Sequence, residues 1–417
     1  MNAERFFRNP HFREYLRLLR NLHESIRTGS DESDDGEAIR DQMDAPADFF
    51  TKDETESANG ISADLYSISN SEPYTPQPMT QIVQAEIKKA LDARNAGEFI
   101  ESLNLLRKNQ TYVDFAMLTY VRGSVMFDAG EFNLAVDFFR HAMVLSPNNT
   151  NYTYMWLESL SRSDSHKASD EAKKILLVAA VQSPKLVLKA AEIRLSSTSQ
   201  LSESQAEPII RQLILAFEDT IIRLQTSGDS QDSPSLLASA FMFLGFCHEH
   251  LKNDSGALQS FDQGIKLFPN NDALLTARGI RRYAFDTARA IEDLRNAIAL
   301  RSKLVWPYFF MAHHHLINDQ FEECLQIANR ALHLATGDSI RSECLEWIAI
   351  CQASLGHPTE IVRASFNAAR RLAPTNDRIE TNRQRFEDSL SSVTPISWDR
   401  PDSTAAQNFA PREFQAA

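Results

Sequence analysis

Two stretches of the chain repeat the same spacing of small, aromatic and proline residues. These windows cover residues 116–149 and 238–271. Residues of the same kind stand at identical intervals: Gly123, Ala135, Phe139, Ala142 and Pro147 in the first window, and Gly245, Ala257, Phe261, Gly264 and Pro269 in the second. Self-similarity at a fixed period is the signature of repeat architectures, so it constrains the fold more than any other feature of this chain.

Helix packing explains why such a spacing recurs. Two neighbouring helices approach closely only where small side chains lie between them, and we expect this at Gly123 against Ala135 and at Gly245 against Ala257. The phenylalanine of each window then fills the space between hairpins. The proline ends the second helix, and the Asn-Asn pair behind it supplies turn residues. Each window therefore predicts one antiparallel pair of helices.

The pattern resembles the tetratricopeptide repeat family, whose repeat of about 34 residues has small, aromatic, small and proline positions in this order. Weaker windows cover residues 272–304, 305–338 and 343–376, and residues 82–108 resemble a degenerate first hairpin. No window has tryptophan at the first signature position of the family. The resemblance implies an all-α fold, a solenoid of helix hairpins wound as a right-handed superhelix.

Composition divides the chain into three parts. Residues 1–79 hold an amphipathic helix and an acidic linker, and twelve acidic residues stand against two basic ones over positions 30–64. Charge repulsion and low apolar content predict that this linker is largely disordered. Residues 80–387 carry the helical array, and residues 388–417 are predicted to be a disordered tail.

Three segments leave alternatives open. The amphipathic helix over residues 10–27 is expected to dock on its own protein or on a partner, and it could also plug the groove of the array. Within the linker, Asp64, Leu65 and Tyr66 form either plain linker or a short recognition motif. Residues 150–237 match the repeat poorly and predict either irregular hairpins that keep the stack continuous or a break between two subarrays.

Charge and cysteine usage limit the function classes. The formal net charge of −13 argues against non-specific nucleic-acid binding and against adhesion to an anionic membrane. No apolar run is long enough for a membrane span. The four cysteines form no C-x-x-C pair, so they indicate no zinc site and favour a reducing, cytoplasmic location.

The resemblance also implies a ligand surface, because family members bind partners on the concave face formed by the first helix of each hairpin. The positions that it assigns to this face are mainly aromatic and apolar. The candidate groove residues are Tyr120, Phe127, Met242, Phe246, Ile280, Tyr283, Trp306, Phe309, His313 and Trp347. The expected partner is a protein or an extended or helical apolar peptide. The alternative is that these side chains pack between neighbouring hairpins.

The sequence gives little support for catalysis. His313, His314 and His315 are adjacent on a helix and point about 100° apart, so they cannot converge on one metal ion. No phosphate-binding loop or nucleophile motif occurs, and no cofactor is expected. We therefore predict an interaction scaffold and not an enzyme. The alternatives are a regulatory protein whose N-terminal segment binds an effector or plugs the groove, and an enzyme with an unrecognised site in residues 150–237.

Overall fold

The computed structural model describes residues 4–70, 74–226, 233–391 and 395–402. Within these ranges the regular structure consists of α-helices and three short 3-10 helices, and no strand occurs there. The all-α prediction is confirmed. The chain divides into two compact units, residues 1–193 and 194–417. The boundary falls inside residues 150–237, the region that matches the repeat poorly.

The helices of the first unit are α1 (Glu4–Arg8), α2 (Pro10–Thr28), α3 (Asp34–Ala47), α4 (Lys52–Asn70), α5 (Gln81–Asn95), α6 (Phe99–Lys108), α7 (Phe115–Asp128), α8 (Phe132–Leu145), α9 (Thr150–Ser163), α10 (Ser165–Leu177) and α11 (Pro184–Ser197), which crosses the boundary. The helices of the second unit are α12 (Glu203–Thr226), α13 (Ser233–His250), α14 (Asp254–Leu267), α15 (Asp272–Arg282), α16 (Thr287–Ala299), α17 (Trp306–Ile317), α18 (Phe321–Leu334), α19 (Asp338–Ser354), α20 (Thr359–Leu372) and α21 (Asp377–Ser389).

Each repeat window forms one pair of helices joined by a short loop. The pairs α7/α8 and α13/α14 correspond to the two clearest windows, and α15/α16, α17/α18 and α19/α20 correspond to the weaker ones. The Asn-Asn residues begin the next pair, because the Asn149 side chain accepts a hydrogen bond from the Asn151 amide and Asn271 accepts one from Leu274. These asparagines are N-caps, which satisfy amides that a helix leaves unpaired.

The matched glycines allow close packing of an aromatic ring. A Cβ atom added to Gly245 would lie 2.2 Å from Cε1 of Phe261, and one added to Gly123 would lie 2.9 Å from the ring of Phe139. The spacing alone had suggested that each glycine faces an alanine of the second helix. The structure shows instead that the phenylalanine covers the glycine, which explains why the two residue types keep a constant spacing.

Much of the acidic linker predicted as largely disordered is helical, in α3 and α4. Ser33 caps α3, whose first turn holds Asp34 and Asp35. These carboxylates stabilise the helix because they lie at the positive end of its dipole. In α4 the apolar residues Ile61 and Leu65 are four apart and buried, while the acidic residues Asp53 and Glu56 are exposed. The acidic composition concealed this periodic apolar stripe, and the prediction of disorder was wrong for these helices.

The prediction of a disordered tail also needs correction. Helix α21 continues to Ser389, and residues 395–402, which we call the tail segment, lie extended against the second unit. Its side chains alternate between exposed and half-buried from residue 395 to residue 400. Such alternation with period two is typical of an extended chain that turns one side toward a surface. Residues 403–417 lie outside the described residues.

Candidate functional site

Most of the candidate groove residues are covered. Tyr120, Phe127, Met242 and Ile280 are half-buried. The other six are buried: Phe246, Tyr283, Trp306, Phe309, His313 and Trp347. In this conformation those six side chains do not form the exposed aromatic surface expected from the sequence, because they pack between hairpins, which was the alternative.

Four of these residues nevertheless meet along three successive hairpins. They lie on α17, on α19 and directly after α15, and these first helices contact one another. The rings of Phe309 and Trp347 have centroids 4.6 Å apart, and the His313 ring lies 5.7 Å from both Trp347 and Tyr283. The tail segment contacts this cluster, so the face that the resemblance assigned to a ligand is partly covered by the chain itself.

Asn382 holds the main chain of the tail segment. Its side-chain Nδ2 donates to the carbonyl oxygen of Asp399 at 2.7 Å, and its Oδ1 accepts from the amide of Asp399 at 2.8 Å. Arg385 adds a second contact, with Nη1 donating to the carbonyl of Ser397 at 2.6 Å. Both side chains bond to main-chain atoms, which every amino acid except proline offers in full, so this recognition does not depend on the sequence that is held.

A buried ionic cluster orients the Asn382 amide. Nδ2 also donates to Oε1 of Glu346 at 2.8 Å, and Arg378 pairs with Oε2 of the same carboxylate at 2.6 Å and with Glu343. Burial acts to lower the pKa of Arg378, but Glu346 and Glu343 raise it above its ordinary value. Burial raises the pKa of Glu343. The guanidinium therefore stays charged and fixes the carboxylate on which Asn382 rests.

His313 contacts the tail segment at its buried proline. Nε2 lies 2.8 Å from the carbonyl oxygen of Pro401, and Nδ1 lies 2.8 Å from the hydroxyl of Tyr283. A carbonyl oxygen only accepts, so in neutral His313 the proton is on Nε2 and Tyr283 donates to Nδ1. Burial lowers the pKa of His313 and raises the pKa of Tyr283, so this arrangement keeps both groups neutral.

Arg400 lies in a separate pocket at the end of α17. Nη1 donates to the carbonyl oxygen of Leu316 at 2.9 Å, and Nη2 pairs with Asp319 at 2.6 Å. The guanidinium carbon lies 5.7 Å from the ring centroid of Phe321. The negative end of the helix dipole, a carboxylate and an aromatic face thus converge on one cation.

Trp398 occupies the other side-chain position of the tail segment. Its Nε1 donates to the hydroxyl of Ser354 at 3.1 Å, and its ring centroid lies 6.2 Å from that of Phe366. Ile396 and Trp398 both pack, partly buried, on the core of the second unit. Apolar contacts at Ile396 and Trp398 and a charged contact at Arg400 therefore accompany the main-chain contacts of Asn382, Arg385 and His313.

In the possible recognition motif of the first unit, Asp64 and Leu65 are buried and Tyr66 is exposed. The Asp64 carboxylate pairs with Arg122 at 2.8 Å and with Arg107 at 3.0 Å. Leu65 is buried, and the ring of Tyr66 lies 4.3 Å from that of His23. Burial raises the pKa of Asp64 and lowers the pKa of Arg122, since desolvation acts on both partners of a buried pair.

The helix considered from the sequence as a groove plug lies elsewhere. Arg13 of α2 pairs with Glu131 at 2.8 Å, and Arg20 pairs with Asp137 at 2.6 Å. Asp137 lies on α8, and Glu131 is the residue directly before α8. Helix α8 is the second helix of its hairpin. Helix α4 also contacts α6 and α8. The N-terminal helices thus contact α6, α7 and α8, whereas in the second unit the tail segment contacts α17, α19, α20 and α21.

The described residues show few other candidates for chemistry. No group of three His, Cys, Asp or Glu side chains within them is arranged to hold a metal ion. The four cysteines are buried and form no disulfide. Among the helices described, none has both the length and the apolar character needed to cross a membrane.

Sequence reasoning missed the most specific contacts between the tail segment and the second unit. Asn382 and Arg378 lie beyond the last repeat window, and Trp398 and Arg400 lie in the segment predicted as disordered. One signal was present. Ile396, Trp398 and Arg400 alternate with small or polar residues, and a tryptophan is unusual in a disordered segment because such segments contain few aromatics.

Comparison with known proteins gives structural likeness alone. No family model and no curated protein sequence matches the chain. A tetratricopeptide repeat protein from Parabacteroides merdae has 14% sequence identity and a TM-score of 0.48, over 64% of this chain and 99% of the other. The C-terminal part of a tetratricopeptide repeat-containing protein from Cytophaga hutchinsonii has 12% identity and a TM-score of 0.37, over 71% and 98%. Both are described as repeat proteins of the family that the sequence pattern resembles.

Proposed function

We propose that this chain is a protein-interaction scaffold that binds an extended segment of a partner protein in the cleft between α17, α19 and α21. The observation that carries the proposal is the seating of the tail segment there. The Asn382 amide contacts both the N–H and the carbonyl group of one extended residue. A side chain that contacts main-chain groups in this way recognises an extended polypeptide, whichever chain supplies it.

The polar groups of the cleft are held by contacts within the second unit that do not involve the tail segment. Glu346 and Asn382 are buried, and the Arg378 ion pairs help to fix their positions. A preorganised binding group loses little conformational freedom on binding, so more of the interaction energy appears as affinity. Polar groups that are held in this way, with donors and acceptors turned toward an extended main chain, suit a binding role.

This function replaces the apolar groove expected from the sequence. Buried rings such as Phe309 and Trp347 build the floor, and recognition falls to polar groups at its surface. His313 belongs to both sets, because it packs on Trp347 and donates to Pro401. The proposal includes no catalytic role, and the free cysteines support a cytoplasmic location as part of it.

The tail segment also favours a regulatory role over the N-terminal alternative. It occupies the cleft in this structure, so a partner must displace it. The N-terminal helices contact α6 and α8 and are part of the core of the first unit. We therefore assign to the tail segment the covering role that the sequence had suggested for residues 10–27.

A displayed library of random peptides tests the proposed function. The bait is the full chain with Trp398→Ala and Arg400→Ala, which weaken the tail segment and leave the cleft residues intact. A matched bait carries Asn382→Ala in addition. We expect peptides to be enriched on the first bait and lost on the second, because the main-chain contact is then missing. Enrichment that is equal on both baits, or absent from the first, would overturn the proposed function.

A further inference from the structure

We infer that the partner segment of the proposed cleft carries an aromatic residue two positions before an Arg-Pro pair, the pattern that Trp398, Arg400 and Pro401 present. The inference rests on the proposed function and adds the chemistry that selects the ligand. The main-chain contacts of Asn382 and Arg385 do not select a sequence. Sequence preference must come from the side-chain positions that face the protein.

The Arg400 pocket selects arginine over lysine. One guanidinium nitrogen bonds to the Leu316 carbonyl at 2.9 Å, a second bonds to Asp319 at 2.6 Å, and the guanidinium carbon lies 5.7 Å from the ring centroid of Phe321. A guanidinium has several donors in a fixed planar array and can make these contacts together. The ammonium group of lysine is a compact point charge and makes fewer of them at once.

The position of Pro401 favours proline. Pro401 is buried, and its carbonyl oxygen accepts a hydrogen bond from Nε2 of His313. A buried amide N–H needs a hydrogen-bond partner, and its burial costs free energy when it has none. Proline has no N–H and keeps the extended backbone that the preceding contacts require.

The aromatic position is set by α19 and α20. Trp398 donates to Ser354 of α19 and faces Phe366 of α20. An indole combines a large apolar area with one hydrogen-bond donor, which matches this half-buried place between an apolar ring and a hydroxyl. In an extended chain, residues two apart point to the same side, so tryptophan and arginine reach their sites together.

The tail segment follows α21 after a short connection, and this tether favours the internal ligand. A tethered ligand acts at a high effective concentration, on the order of millimolar when the connection is short. A free peptide of the same sequence therefore competes poorly with the intact tail segment. Weakening the tail segment should increase the apparent affinity of the cleft for that peptide.

Fluorescence anisotropy of a labelled peptide with the sequence of residues 395–402 tests the inference. The peptide is titrated with the full chain and with the full chain carrying Trp398→Ala and Arg400→Ala. We expect at least about tenfold tighter binding to the doubly substituted chain. Peptides with Arg400→Lys or Trp398→Ala should each bind that chain about tenfold more weakly. Thermal unfolding of both chains verifies that the substitutions leave the fold intact.

The outcomes separate the inference from the proposed function. Equal binding of the original, lysine and alanine peptides to the doubly substituted chain, lost with Asn382→Ala, would overturn the inferred pattern and support a cleft that reads main chain alone. No binding of any peptide to the doubly substituted chain, together with no Asn382-dependent enrichment from the library, would overturn both. Affinity that rises on tail weakening and falls with each peptide substitution would support both.

Discussion

The N-terminal helices and the tail segment each pack on the unit that contains them, but they use different interactions. The N-terminal helices insert Phe12, Leu16 and Ile61 into the core of the first unit, where all three are almost fully buried. The tail segment instead lies extended on the second unit. Its inward side chains Ile396 and Trp398 are half-buried, and its main chain is held by side chains of the unit.

The difference indicates how firmly each of these segments is held. Full burial of a large apolar side chain contributes about 1.5–3 kcal/mol, and several such side chains hold the N-terminal helices. A hydrogen bond contributes a net stabilisation of about 0.5–1.5 kcal/mol, so a few of them hold the tail segment less firmly. The N-terminal helices should leave only when the first unit unfolds. The proposed function requires that the tail segment leave its place without unfolding of the second unit.

The largest expected effect concerns the buried ion pair of the first unit. Asp64→Ala leaves Arg122 buried without its carboxylate, which should lower the free energy of unfolding of the first unit by about 3–5 kcal/mol. Glu56→Ala on the same helix is the control, because Glu56 and its partner Lys52 are both exposed. Urea unfolding measured by circular dichroism compares the two variants. Similar small losses for both would mean that the N-terminal helices are not part of the core.

Replacing an isoleucine by alanine in the N-terminal helices and in the tail segment gives the next test. Ile61→Ala should cost about 2–5 kcal/mol, because Ile61 is fully buried and its truncation leaves a cavity. Ile396→Ala should cost less than about 1 kcal/mol, because Ile396 is half-buried on a surface. Thermal and urea unfolding of the full chain measure both. A larger loss of stability for Ile396→Ala than for Ile61→Ala would contradict the view that the N-terminal helices are held more firmly than the tail segment.

A smaller effect is expected at the polar contact of the tail segment. Asn382→Ala removes both hydrogen bonds to Asp399 and should destabilise the docked tail segment by about 1–3 kcal/mol while the hairpins stay folded. Hydrogen exchange of residues 395–402, read by mass spectrometry, should become faster. Gln384→Ala on the same helix is the control, since Gln384 is exposed and bonds to Asp388 of its own helix. An unchanged rate of hydrogen exchange after Asn382→Ala would mean that Asn382 does not hold the tail segment in place.

The smallest expected effect is a pH dependence confined to the first unit. Burial lowers the pKa of His23 from its ordinary value to about 4, against an opposing effect of Asp137. Between pH 6.5 and 4, His23 binds a proton more readily in the unfolded chain than in the folded chain. The contribution of neutral His23 to the free energy of unfolding is therefore complete above this window and is lost as the pH falls through it. Urea unfolding at about pH 7 and about pH 5 measures the loss. His23→Leu should reduce it, and an unchanged pH dependence in that variant would exclude His23 as its origin.

The repeat and the cleft differ in how far the sequence predicted them. The positions of the hairpins were predictable because Gly123 packs on Phe139, and Gly245 packs on Phe261, within a single repeat window. Residues that pack so close together in the chain produce a recognisable spacing in the sequence. The N-terminal helices were missed because acidic residues dominate the composition there, although Ile61 and Leu65 keep helical spacing. The candidate groove remains a prediction, and six of its ten residues are buried in the structure.

The sequence alone determined the helix pairs and their order, because the residues that pack within a hairpin lie close together in the chain and repeat with its period. Only the tertiary structure decided which surfaces remain open and what covers them. Asn382 meets Asp399, His313 meets Pro401 and Asp64 meets Arg122 across separations that carry no period. Contacts of this kind depend on where whole helices come to lie, so no local spacing records them.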